Sequence, residues 1–274
     1  MPLSDDPCMN LSGGKSETGG MMYGDSTLAG RVAVVTGGGR GLGRAFALAL
    51  AEAGADVALA ARSTKDIERV AAEVKARGRR ALAVPTDVAE TADVERLVER
   101  VLGELGDLDI LVNNSGVIHS APLIETPLEE WDRVVATNLR GCFLCMRAAG
   151  RHFADRRAGK VINVASNFAF MGVPNYSSYC ASKAAVVNLT RAAAIEWAGF
   201  GVQVNALAPG YVETDMNAAA RGDEEMKARI LRQIPARRMA RPEELGPLVV
   251  YLASSASDFM TGETLVFDGS QVAK

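Results

Sequence analysis

Val32-Ala33-Val34-Val35-Thr36-Gly37-Gly38-Gly39-Arg40-Gly41-Leu42-Gly43 joins a β-branched run to a turn dense in glycine, and Arg44 to Ala53 continues with a helical pattern. A continuous apolar run of strand length reads as a strand covered on both faces. Glycines let the chain turn sharply and approach a pyrophosphate, while a helix start offers free N–H groups and the positive end of a dipole. The stretch therefore predicts the strand, turn and helix that open a dinucleotide-binding fold. Its expected contacts are Gly37, Gly39, Arg40, Gly41, Leu42 and Gly43.

Outward from this unit, the same alternation repeats to the end of the chain. Strands are predicted at Val32 to Thr36, Asp56 to Ala60, Ala81 to Pro85, Ile110 to Asn113, Lys160 to Val164, Val202 to Ala208 and Thr264 to Phe267, with helical segments between them. Strand and helix in alternation imply a parallel sheet with helices on both faces. The expected fold is a single α/β domain over residues 29–274, a doubly wound Rossmann fold with a seven-stranded parallel sheet. Residues 1–28 lack an apolar period and read as a disordered arm. Gly13-Gly14-Lys15-Ser16 within them is no phosphate loop, because Met9 stands where the first glycine is required and no strand precedes it. Residues 211–235 follow the sixth strand's carboxyl end, where ligands bind in such sheets, and read as a substrate lid.

At 274 residues and 48% hydrophobic content, the chain has ample material for a core. A net charge of −3 offers no field for nucleic acid or an anionic membrane. Its apolar runs are far shorter than the roughly 20 residues that cross a bilayer, and the first residues lack a signal-peptide pattern. A cytoplasmic protein is expected, without nucleic-acid or membrane partners. Cys142 and Cys145 lie in an apolar helical stretch and read as core thiols, while Cys8 falls in the arm and Cys180 reads as a packing residue. Neither His119 nor His152 has ligand-spaced companions, so no metal is expected.

Tyr179 and Lys183 are four apart, so a helix projects phenol and ammonium from one face. A neighbouring cation lowers a phenol's pKa toward the range useful for proton transfer. At the end of the second predicted strand the acid of an NAD site is missing, and Arg62 stands there instead. With Arg40 it could clamp a 2′-phosphate, so NADP(H) is expected, with NAD(H) as the alternative.

Taken in order, Thr36 to Gly43, Asp87-Val88, Asn113-Asn114-Ser115-Gly116, Asn138, Ser166, Tyr179 with Lys183, and Pro209-Gly210 resemble the short-chain dehydrogenase/reductase family over residues 30 to 270. The resemblance implies a catalytic set of Asn138, Ser166, Tyr179 and Lys183. In it Tyr179 is the general acid and base, Ser166 holds the carbonyl oxygen, Lys183 binds the nicotinamide ribose, and Asn138 anchors a water relay. It places Asp87 and Val88 at the adenine and Asn114, Ser115 and Gly116 along the cofactor. Thr214 falls near the nicotinamide, and Pro209, Gly210 and Val212 also border the cofactor. Ser115 and Ser270 depart from the family's usual alanine and glycine. The helices over 131–153 and 178–198 imply a homotetramer.

Candidate substrate residues are Asn167, Phe168, Met171, Tyr176, Tyr211 and Met216, with Phe170 and Val173 beside them. This mainly apolar set leans toward a 3-oxoacyl reductase-like carbonyl reductase, for which Arg151, Arg156 and Arg157 would form part of a rim for an acidic carrier. Glu196-Trp197-Ala198 and Pro209-Gly210-Tyr211 resemble sugar-acid enzymes of the gluconate 5-dehydrogenase kind. A third reading is a sensor or scaffold that binds NADP(H) without turnover; such proteins usually lose the tyrosine, lysine or serine that this chain keeps.

Overall fold

The computed structural model describes residues 27–273, apart from the side chains of 219 and 220. Most of the proposed arm, with Cys8 and the Gly13 to Ser16 stretch, lies outside the described residues. Leu28, placed in that arm, is in fact only 1% exposed and its backbone N–H donates to the Ala53 carbonyl at 2.8 Å. Its isobutyl group belongs to the core, so the fold starts slightly earlier than composition suggests.

Seven strands form one parallel sheet in the order β3-β2-β1-β4-β5-β6-β7. They are β1 (Val32–Thr36), β2 (Asp56–Ala61), β3 (Ala81–Pro85), β4 (Ile110–Asn113), β5 (Gly159–Val164), β6 (Val202–Pro209) and β7 (Thr264–Phe267). Each predicted strand is present, within one residue at either end. The order reverses between β1 and β4, where Ala33 pairs with Ile110 and Val35 with Val112. That reversal opens the crevice in which doubly wound sheets bind their ligands.

Alternating side chains divide the interior into two apolar layers. Val32, Val34 and Leu111 join one cluster, covered by α3 (Thr91–Leu105), α5 (Gly141–Arg156) and α6 (Ser177–Trp197). Ala33, Val35, Ile110 and Val112 face the other, covered by α1 (Gly41–Glu52), α2 (Thr64–Lys75) and α9 (Gly246–Ala253). The shorter helices are α4 (Leu128–Val135), α7 (Ala218–Gly222) and α8 (Glu224–Gln233). The last two fill most of the segment expected to form a lid.

Ion pairs gather at the opposite, amino-terminal edge of the sheet. Asp109 Oδ1 meets Arg31 at 2.9 Å and Arg156 at 3.2 Å, and Asp107 Oδ1 meets Arg156 at 2.7 Å and His152 at 2.8 Å. Arg157 donates to the Gly199 carbonyl at 2.7 Å. Arg156 and Arg157 are thus engaged at the edge away from the strands' carboxyl ends, not at a rim of the crevice. Cys142 and Cys145 are buried, and burial pushes the Cys142 thiol up to about 12 and Cys145 higher still. No helix among the described residues is long and apolar enough to cross a membrane.

Candidate active site

The glycine turn lies where β1 meets α1. Gly37 and Gly41 have φ of 63° and 51°, a region that glycine enters without strain. A Cβ on Gly43 would stand 2.1 Å from the Gly37 carbonyl oxygen and 2.7 Å from Asn114 Nδ2, so α1 can start this close only with glycine there. Asn114 closes the turn from β4, donating through Nδ2 to the carbonyls of Thr36 at 3.0 Å and Gly37 at 3.3 Å. Thr36 Oγ1 accepts the backbone N–H groups of Asn114 and Ser115, each at 3.0 Å. Asn114 and Ser115 therefore shape the crevice as well as bordering it.

Helix α1 has no side-chain cap and no acidic residue in its first turn, whereas α2 carries both the Ser63 cap and Asp66. The uncapped start leaves free donors facing the crevice, a site suited to an anion. Across it, Thr214 lies 3.5 Å from where a Gly41 Cβ would stand. This tight glycine cradle and its donors fit a dinucleotide pyrophosphate.

Arg69 on α2 was not anticipated from the sequence. Its Nη2 donates to the Gly39 carbonyl at 2.9 Å, and its Nη1 meets Glu73 at 3.3 Å. Glu73 also takes two bonds from Arg44 of α1, at 3.1 and 2.5 Å. Those guanidinium groups, Arg44 foremost, hold the Glu73 carboxyl below its ordinary range. The glycine turn is thereby tied to both flanking helices. Arg40 and Arg62 are exposed beside it, with Arg62 Nη1 4.0 Å from Asp87 Oδ2. Asp87 also accepts the Ala89 N–H at 3.0 Å, and Val88 is buried against Gly141.

Ser166 follows the end of β5, and its Oγ accepts the Phe168 N–H at 3.2 Å. Lys183, 4% exposed, donates from Nζ to the Val164 carbonyl at 2.7 Å, and its Nζ lies 5.7 Å from the Tyr179 ring centroid. Burial pulls the Lys183 ammonium down to about 8. The phenol of Tyr179 is pushed up to about 12, because burial outweighs the opposing hydrogen bond with Ser166. The Tyr179 phenol thus lacks the lowering expected from Lys183, and desolvation sets the direction of its shift.

Asn138 occupies a π-helical turn, Ala136–Arg140, between α4 and α5; such widened turns recur at functional sites. Its Oδ1 accepts the Val117 N–H at 2.8 Å, and its Nδ2 donates to the Val117 carbonyl at 2.9 Å and to Ser182 Oγ at 3.1 Å. It thus stitches the loop after Gly116 to α6. Gly116 belongs to the same cluster, since a Cβ there would lie 3.5 Å from both Asn138 Oδ1 and Lys183 Nζ.

Phe168 lies among three edge-on tyrosine rings, with centroids at 5.7 Å to Tyr176, 5.9 Å to Tyr179 and 6.1 Å to Tyr211. Burial raises the Tyr211 phenol, Tyr176 adds to the shift, and Arg229 of α8 opposes it. Met171 and Val173 are half-buried, while Phe170 and Met216 are largely exposed. Asn167 is 1% exposed, with its Nδ2 bound to Gln271 at 2.9 Å. The amide nitrogen is thus engaged by the segment that follows β7. Pro209 ends β6; a Cβ on Gly210 would meet Asp268 at 2.7 Å, and Val212 is buried. Ser270 adopts φ of 75°, the left-handed conformation that the usual glycine takes more cheaply, and its N–H bonds Asp268 at 3.0 Å.

The family model described as enoyl-(acyl carrier protein) reductase matches residues 37–270. The chain belongs to the short-chain dehydrogenase/reductase family. This dehydrogenase/reductase is 41% identical to the 2-dehydro-3-deoxy-D-gluconate 5-dehydrogenase of Escherichia coli K12, over 90% of this chain and 98% of that protein. It is 38% identical to the 3-oxoacyl-[acyl-carrier-protein] reductase of Staphylococcus aureus, over 86% and 96%. A gluconate 5-dehydrogenase from Burkholderia cenocepacia, solved in complex with NADP and tartrate, superposes with a TM-score of 0.87 at 37% identity, covering 91% of this chain and 98% of that one.

Proposed function

We propose that this enzyme interconverts a ketone and a secondary alcohol using NADP(H), with Tyr179 as the proton-transfer group. The observation carrying this reading is the meeting of Ser166, Tyr179 and Lys183 at the carboxyl end of β5, beside the glycine cradle. When bound, the nicotinamide supplies or accepts the hydride. Tyr179 protonates the carbonyl oxygen in reduction and takes the proton back in oxidation. Ser166 holds that oxygen by a hydrogen bond. The Lys183 ammonium binds the nicotinamide ribose and favours the phenolate when it forms. Asn138 holds the loop at Val117 and anchors the water path that returns the proton. Asp87 and Val88 border the adenine, Pro209, Gly210, Val212 and Thr214 the nicotinamide end, and Arg40 and Arg62 bind the 2′-phosphate. The NADP in the Burkholderia relative supports that choice.

For the substrate we favour a keto or hydroxy sugar acid. The phenols of Tyr176 and Tyr211 approach each other beside Phe168, with Arg229 near by, giving the pocket polar tips and a cation. Such groups suit hydroxyls and a carboxylate better than an acyl chain does. The similarity to the Escherichia coli dehydrogenase points the same way. The half-buried Met171 and the likeness to the Staphylococcus aureus reductase support the 3-oxoacyl reading. Turnover of NADP(H) should be screened against keto and hydroxy sugar acids, 3-oxoacyl thioesters and simple ketones. Tyr179→Phe is expected to abolish turnover of whichever is accepted while NADPH still binds. Undiminished turnover in that variant sinks the assignment. Exposed Phe143 on α5 and Ile195 on α6 are consistent with homotetramer contacts, which sedimentation would test.

A further inference from the structure

Gln271, in the segment that follows β7, is only 2% exposed. A polar side chain buried this deeply costs free energy unless it is bonded. Its Oε1 accepts from Asn167 Nδ2 at 2.9 Å, across 104 residues of sequence. Asn167 in turn accepts the Ser166 hydroxyl proton at Oδ1, at 3.4 Å. Three buried side chains therefore form one directed chain, from the terminal segment to the serine beside Tyr179.

The terminal segment is itself held firmly. Asp268 accepts the N–H groups of Ser270 at 3.0 Å and Val272 at 2.8 Å, and the Gly269 carbonyl accepts the Ala236 N–H at 3.2 Å. The Gly210 backbone passes close by, since a Cβ there would stand 3.4 Å from Asn167 Nδ2. A hydroxyl offers one donor and two acceptor sites. Ser166 gives its proton to Asn167 and one lone pair to the Phe168 N–H, and its hydroxyl also meets the Tyr179 phenol. At 3.4 Å the bond to Asn167 is longer than the usual hydroxyl bond. It sets the rotamer, and a substrate carbonyl oxygen can displace it cheaply.

We infer that Gln271 is a positioning residue for the reaction: from the carboxyl-terminal segment it fixes Asn167 and, through it, the hydroxyl of Ser166. The inference rests on the proposed role of Ser166. Gln271→Met keeps the bulk and removes the acceptor, whereas Gln271→Glu keeps an acceptor, and Asn167→Ala breaks the chain one link nearer the serine. The assay is steady-state turnover with NADPH and the fastest ketone of the screen above, beside NADPH titration and thermal unfolding.

Gln271→Met and Asn167→Ala should each lower kcat about ten-fold or more, as small misplacements of reacting groups do. NADPH affinity should hold, and Gln271→Glu should recover most of the rate. In a Ser166→Ala background, Gln271→Met should cost nothing further. Wild-type kcat in either single variant overturns the inference, as does a Gln271→Met loss that persists in full without Ser166. Failure of the underlying reading shows separately, as wild-type kcat in Ser166→Ala itself.

Discussion

Replacing Gly43 by alanine tests whether the contact between α1 and the glycine turn sets cofactor affinity. The new methyl group would stand 2.1 Å from the Gly37 carbonyl oxygen, 2.7 Å from the Gly37 carbonyl carbon and 2.7 Å from Asn114 Nδ2. Two of these neighbours are backbone, and Asn114 is engaged with Thr36 and Gly37, so no flexible side chain can simply step aside. Overpacking of this kind costs about 1–3 kcal/mol, and disturbing the Asn114 amide adds about 1 kcal/mol. The combined cost of about 2–4 kcal/mol is shared between stability and affinity. Where the turn yields, the crevice deforms and NADPH binding weakens; where it resists, the fold carries the loss. Taken wholly as affinity, it is a weakening of roughly 30- to 800-fold. NADPH fluorescence titration and denaturant unfolding of the same samples measure the two shares. Gly103→Ala is the control: it lies on α3 with nothing within 4 Å of its would-be Cβ. There alanine should stabilise by about 1 kcal/mol or less and leave NADPH binding alone. A Gly43→Ala protein that binds NADPH normally and unfolds at the wild-type denaturant concentration would refute the reasoning.

Arg62→Ala should weaken NADPH binding about ten-fold or more while leaving NADH nearly unchanged, because a single charged hydrogen-bond partner of the 2′-phosphate is removed; parallel titrations check this, and an equal loss for both cofactors counts against it. Arg69→Gln should raise the NADPH Michaelis constant several-fold with little change in kcat, since it loosens Gly39 and touches no reacting group; a fall in kcat alone would be the contrary result. The pH dependence follows from opposite shifts in the two site groups. Tyr179, raised to about 12, keeps its proton throughout the neutral range, while Lys183, lowered to about 8, is charged below that pH and neutral above it. Reductive kcat/KM should therefore stay level near pH 6–7 and fall as pH rises through about 8. A rate still climbing toward pH 10 would exclude this assignment of the cation.

What the chain reveals without coordinates depends on the range over which each residue acts. The seven strands are legible because their apolar runs and intervening helical periods are local, and Gly37 to Gly43 is legible because a turn's chemistry is written in consecutive residues. Ser166, Tyr179 and Lys183 carry their spacing with them. Arg69 was not legible: it is one of many surface-type arginines until α2 is folded against the turn and its guanidinium meets the Gly39 carbonyl. Asn167 reads from its neighbours as a pocket residue, and only the return of the terminal segment shows its amide to be occupied. Tyr179 illustrates a different gap. Its neighbour Lys183 is visible in the sequence, but the desolvation that raises the phenol belongs to the packed interior.

The ion pairs of Arg31, Asp107, Asp109, His152 and Arg156 lie at the sheet edge opposite the crevice. Longevity and turnover can therefore be adjusted separately in this molecule. Strengthening or replacing those pairs changes the resistance of the fold to acid and salt without moving a reacting atom. A surface attachment made at the same edge would leave the crevice facing outward.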